Sequence, residues 1–114
     1  MTSRSWTTTE RPNMAKKMHE PIHPGEILRE EFMKPFGLNS HRLAMELGVS
    51  VPRVNDLMRE KRGMTGDMAL RLARYFDTTP GLWMNLQTKY ELEVASRESG
   101  RAISERVKPR NPAA

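Results

Sequence analysis

A chain of 114 residues with 37% apolar composition has room for one small domain. A domain of that size buries only about 60% of the surface its unfolded chain exposes, so a second subunit is expected to add stability. The absence of cysteine excludes disulfide frameworks, thiolate zinc sites and thiol nucleophiles together. No apolar run approaches the roughly 18 residues of a membrane span, and MTSRSWTTTERPNMAKK has basic residues without the apolar stretch of a signal peptide. The expectation is a soluble, cytoplasmic protein with no membrane contact. The net charge of +5 sits at the ends: residues 1–18 and residues 97–114 each carry +3, which leaves −1 between them. Both ends read as loosely ordered, the first rich in Ser and Thr, the last polar with two prolines. The chain therefore divides into a flexible N-terminal extension over 1–21, a folded domain over 22–96 and a basic C-terminal tail over 97–114.

From Pro24 onward the punctuation is helical. PGEILREEFMKPF opens with a proline suited to a first turn, sets Glu26 at the positive end of the helix dipole, repeats apolar groups at Ile27, Leu28 and Phe32, and ends at Pro35. Asn39 then caps NSHRLAMEL, whose inward stripe is Leu43, Ala44 and Leu47 and whose stop is Gly48. A third helix begins after Ser50 with Pro52 in its first turn and Val54, Leu57 and Met58 as inward positions; it should fray near Lys61 to Gly63. Thr65 caps GDMALRLARYF, with Asp67 in the first turn and a stripe of Ala69, Leu72, Ala73 and Phe76. After Thr79 and Pro80, Leu82, Leu86, Tyr90 and Val94 recur every four residues, with Trp83 flanking them as a core or dimer-interface residue. The nine methionines read as gap fillers. No segment alternates like a strand, and short loops between the helices imply an all-α, compact five-helix bundle.

Residues 39–59 carry the most specific pattern. Two helices that cross closely need a small residue in the first, which is Ala44, and a turn with positive φ, which favours Gly48. Val49 then plugs the turn, and Val54 and Leu57 point inward, at offsets of 4, 5, 10 and 13 from Ala44. This spacing is that of a helix-turn-helix. It turns Pro52, Asn55, Asp56 and Arg59 outward, with Val51 and Arg53 at the margins, toward a DNA major groove. Asn55 can pair with adenine, Asp56 can accept from the cytosine amino group, Val51 or Pro52 can meet a thymine methyl, and Arg53 and Arg59 can reach guanine or phosphate. Lys61, Arg62 and the Asn39–Ser40 region suit the phosphate backbone. With Ser50 at the start of the second helix, these residues form the candidate DNA-contacting set.

The runs HPGEILREEF, LAMELGVSVPRVNDLMREKRG and MALRLARYFDTTPGLWMNLQTKYEL closely resemble the HigA family of antitoxins, relatives of the Xre and phage Cro/C1 repressors with a lambda-repressor-like fold. The resemblance spans Ile22 to about Val94. Its most diagnostic parts are HPGE, ALRLA and PGLWMNLQ, because generic repressors share the turn but not these. It implies a homodimer that represses its own operon at a palindromic operator and neutralises a HigB/RelE-like mRNA-cleaving toxin. The pattern departs from the family at the N-terminal extension and at Glu93, where the family often has Trp. A stand-alone Xre-type regulator without a toxin partner is the alternative.

Two other readings compete. HEPIH at residues 19–23 spells the HExxH zinc-protease signature, but Pro21 and Pro24 break the helix that would bring both histidines to one face, and only an isolated His41 remains as a third ligand. A protein-binding adaptor without DNA contact would favour apolar or acidic side chains on the outward face, where Arg53, Asn55 and Arg59 stand instead. The expectation is therefore a nucleoid-associated DNA-binding protein with no catalytic residue, metal or cofactor.

Overall fold

The computed structural model describes residues 20–110, and among these the backbone forms five helices and no strand. The expected N-terminal extension, His19 included, lies outside the described residues up to position 19. Helix α1 begins as Pro24–Ile27 and runs on without a break into a π-helical turn over Leu28–Met33. His23, in extended conformation, caps it: its Nδ1 accepts the Gly25 N–H at 2.8 Å. The wide turn is visible in the bond from Lys34 N–H to the Arg29 carbonyl at 3.1 Å. Bonding to the fifth residue back shifts the inward direction one position later than an α-helix would. Leu28 and Met33 are consequently buried, while Ile27 and Phe32, expected on the inward stripe, only lean against the core.

The next three helices follow the sequence reading closely. In α2, Ser40–Leu47, Asn39 Oδ1 accepts the Arg42 N–H at 2.8 Å, and Leu43, Ala44 and Leu47 are buried. In α3, Val51–Met58, Ser50 Oγ accepts the Arg53 N–H at 3.3 Å, and Val54 and Leu57 are buried. Met58 is only half-buried. In α4, Gly66–Phe76, Thr65 caps the Met68 N–H, and Met68 joins Ala69, Leu72 and Ala73 in the core. Each capping side chain satisfies one of the amides that a helix start leaves without a partner.

Helix α5, Pro80–Arg106, differs from expectation in two ways. Its core face centres on Trp83, fully buried, and Gln87, whereas Leu82 is 37% exposed. A strict four-residue repeat drifts around a helix of 3.6 residues per turn, so a stripe starting at Trp83 continues through Gln87 and Tyr90. Trp83 donates to Thr78 Oγ1 at 2.9 Å and packs 4.9 Å from Phe32, which in turn lies 5.0 Å from Phe76. Gln87 Oε1 accepts the Met64 N–H at 2.6 Å and Gln87 Nε2 donates to Glu91, so the buried amide is satisfied and the loop before α4 is held down. The helix also runs on through residues 97–106, where a tail was expected, because its side chains favour helix and Arg101 pairs with Glu105 one turn on. It stops short of Pro109, and among the described residues no helix is long and apolar enough to cross a membrane.

Helix α1 approaches the end of α3 backbone to backbone. A Cβ on Gly25 would stand 1.9 Å from the Leu57 carbonyl oxygen. Gly25→Ala must push two backbones apart, which should cost about 1–3 kcal/mol. At roughly 4–8 °C per kcal/mol for a domain of this size, the melting temperature should drop clearly in a thermal scan. Unchanged melting would mean that α1 can retreat from α3 freely.

Candidate nucleic-acid interface

The turn between α2 and α3 is built from backbone geometry that glycine adopts with least strain. Gly48 has φ 72° and ψ 35°, the left-handed region where a Cβ is strained. Its N–H bonds the Met45 carbonyl at 3.3 Å and the Val49 N–H bonds the Ala44 carbonyl at 3.0 Å, the paired closure of a Schellman motif. Val49 seats against the core, and Ala44, 1% exposed, leaves room for the helices to cross. With Val54 and Leu57 each 1% exposed, α3 is anchored on one side only. Pro52 and Arg59 are exposed on its other side, with Arg53, Asn55 and Asp56 half-buried around them, whereas Val51, expected with Pro52 to meet a thymine methyl, packs against the core.

Other candidate residues turn out to be paired or engaged in capping. Asp56 lies 3.6 Å from Arg62, so these two act as a couple rather than as an isolated acceptor and an isolated cation. The Asp56 carbonyl also receives the Lys61 N–H at 2.7 Å, which folds the loop back on the end of α3 while leaving the Lys61 side chain exposed. That fold uses Glu60 at φ 65°, a left-handed position occupied by a residue with a side chain. Asn39 Oδ1 and Ser50 Oγ serve as caps, and Ser40 opens α2. Arg53 reaches Asp67 Oδ2 at 3.4 Å.

Several residues that sequence reasoning passed over hold this surface in shape. Arg71 donates through Nη1 to the Leu47 carbonyl at 2.8 Å and through Nε to Asp67 at 2.9 Å. Arg29 donates through Nη1 to the Met58 carbonyl at 2.6 Å and lies 3.7 Å from Glu60. An arginine from outside the unit thus meets the negative, carbonyl-bearing end of each of its two helices. The four-residue spacing of Asp67 and Arg71 is visible in the sequence, but their reach to the turn is not. Asp67 is held below the usual carboxylate range by hydrogen bonding from Arg71 first, with Arg53 adding to it.

His23 belongs to the same support. It is buried, with its ring edge-on to Tyr90 at 4.8 Å. Burial lowers its pKa, opposed by Glu60 and reinforced by Arg29. The ring is therefore neutral, extended and used as a cap, unlike one of two ligands on a metal-binding helix. Among the described residues no group of three or more His, Asp or Glu is arranged to hold a metal ion.

A glycine turn between two short crossed helices, with the outer face of the second left uncovered, defines a helix-turn-helix domain. The helix-turn-helix family pattern matches residues 30–83. Over 77 residues the chain is 54% identical to virulence-associated protein I of Dichelobacter nodosus, covering 68% of this chain and 71% of that protein. It is 34% identical over 79 residues to antitoxin HigA-1 of Vibrio cholerae, covering 69% of this chain and 74% of that one. The solved structure of Pseudomonas aeruginosa antitoxin HigA with the higBA promoter is similar, with a TM-score of 0.78 and 50% identity over 80% of this chain and 99% of its own. The chain belongs to the HigA family of helix-turn-helix antitoxins.

The lowered pKa of His23 gives the support a pH dependence. The unfolded chain takes up a proton near its ordinary value of 6.5, and the folded chain takes it up only at lower pH. The stabilisation is complete above that ordinary value and is lost as pH falls through the folded value. The melting temperature should therefore decline as pH falls below about 6.5. His23→Asn retains a capping oxygen without the titration and should flatten that decline. Parallel curves for the two proteins would show that His23 is not its source.

Proposed function

We propose that this chain is a sequence-specific DNA-binding repressor that autoregulates its operon as the antitoxin of a type II toxin–antitoxin module. The observation that carries the reading is the one-sided anchoring of α3: Val54 and Leu57, with Val51 packed against the same core, fix it in place while Pro52, Asn55, Asp56 and Arg59 stay on the outer side. The half-identical relative whose structure includes a promoter supports the same use of the fold. In this reading Arg53, Asn55 and Arg59 read base edges. Asn39, Ser40, Ser50, Lys61 and Arg62 lie along the phosphates, and Asp56 joins Arg62 at the rim. A homodimer sets two copies of α3 into successive major grooves about 34 Å apart on a palindromic operator. The second partner is a HigB/RelE-like toxin. Chemistry is not part of the assignment: the protein binds and represses, at the nucleoid, without cofactor.

Fluorescence anisotropy with the chain's own promoter tests the DNA reading; equal affinity for promoter and scrambled duplex at moderate salt would reject it. Arg53→Ala should cost roughly 1–3 kcal/mol and relax preference at one base pair. Lys61→Ala should weaken all sequences alike and reduce the salt slope by about one. Matching losses on random DNA from both changes would contradict the division into base-reading and phosphate-contacting roles. Co-expression with the adjacent reading frame tests the antitoxin role: growth rescue and a co-purifying complex are expected. The absence of both would leave a stand-alone regulator.

A further inference from the structure

We propose that Asp67, outside the DNA-reading helix, is a positioning residue for recognition. Its carboxylate holds the Arg53 guanidinium in the orientation from which it meets a guanine edge, and so determines how sharply one base pair is discriminated. The inference rests on the reading of α3 as the major-groove element.

The contacts form a continuous chain. Arg71 is fixed to the end of α2 through the Leu47 carbonyl at 2.8 Å. One turn back along α4, Asp67 Oδ2 accepts from Arg71 Nε at 2.9 Å and from Arg53 Nη2 at 3.4 Å. A rigid helix end thus sets the place of a carboxylate, and the carboxylate sets the place of the third residue of α3. Arginine is long and rotamer-rich, and a tether applied before DNA arrives removes part of the ordering cost that binding would otherwise carry. The guanidinium has five N–H donors. A contact made through Nη2 leaves others for the paired O6 and N7 acceptors of guanine.

Energetics favour a role in recognition over one in stability. The Asp67 side chain is 55% exposed and that of Arg53 is 32% exposed. Ion pairs this open to solvent contribute little to folding. A carboxylate beside a surface that faces phosphates also opposes non-specific binding, since it repels the DNA backbone and competes with phosphate for Arg53. Only an acceptor pair with the geometry of guanine rewards the tethered orientation. Asp67 thereby lowers affinity for arbitrary DNA and raises the contrast between sequences.

The test compares the parent protein, Arg53→Ala, Asp67→Asn and the double variant. Each is titrated with the operator, with operators changed at single base pairs, and with a random duplex. Arg53→Ala identifies the base pair that Arg53 reads. Asp67→Asn should reduce preference at that same base pair by roughly fivefold or more. It should leave the other positions unchanged, bind random DNA at least as tightly as the parent, and melt close to it. The double variant should lose no more preference there than Arg53→Ala alone. Full preference retained in Asp67→Asn overturns the proposal. So does a loss spread evenly over all positions in step with a lower melting temperature, because that marks a structural role. If Arg53→Ala relaxes no base pair while the parent remains sequence-specific, the proposal fails and the DNA reading stands. A parent protein indifferent to sequence overturns both.

Discussion

At Gly48 the backbone passes through φ 72° while the amides of Gly48 and Val49 close on the carbonyls of Met45 and Ala44. Every feature of the interface depends on that turn. It ends α2, fixes the angle at which α3 departs, and brings Val54 and Leu57 down onto the same core that receives Leu43 and Leu47. A residue with a Cβ there must either strain by about 1 kcal/mol or more or relax the angle. Because the anchoring uses one side of α3 only, the angle decides whether the outer side is presented or covered.

A turn alone does not hold two eight-residue helices in place, since helices this short are marginal without tertiary support. The support comes from the flanks. Arg71 meets the carbonyl end of α2, and Arg29 meets that of α3, where Gly25 also brings α1 against the Leu57 carbonyl. A charged donor on a helix C-terminus is worth about 0.3–1 kcal/mol where solvent reaches it. Two such contacts are a noticeable fraction of the stability of a small domain. The same contacts leave Ser50 and Pro52 exposed at the N-terminal end of α3, the end that a groove-reading helix advances first. Stability is thus concentrated at the back of the unit and polar chemistry at its front.

The places where pattern and structure part have identifiable physics. Met33 replaced Phe32 in the core because the π turn moves the inward direction by one residue. Trp83 and Gln87 replaced the stripe that began at Leu82 because a four-residue step drifts off a 3.6-residue helix and because a buried amide finds its partner in a distant loop, at Met64. Residues 97–106 are helical although their composition reads as a tail, since charge and exposure describe a solvated helix as well as a loose end. Asp56 and Arg62, assigned separate roles, sit within an ion pair that no spacing rule of a single helix describes.

What the sequence by itself determined was local: the capping side chains at Asn39 and Thr65, the helix starts after Ser50 and Thr79, the glycine demanded by the turn, and the inward positions of α2 and α3. These follow from hydrogen bonding and periodicity within one or two helical turns, and they sufficed to place the outer face of α3. Tertiary structure decided what crosses between elements: His23 buried as a cap, Gly25 against Leu57, Arg29 and Arg71 on foreign helix ends, and Asp67 against Arg53. Such contacts join residues far apart in the chain. Their geometry is set by how whole helices pack, and side-chain type and local spacing carry no record of it.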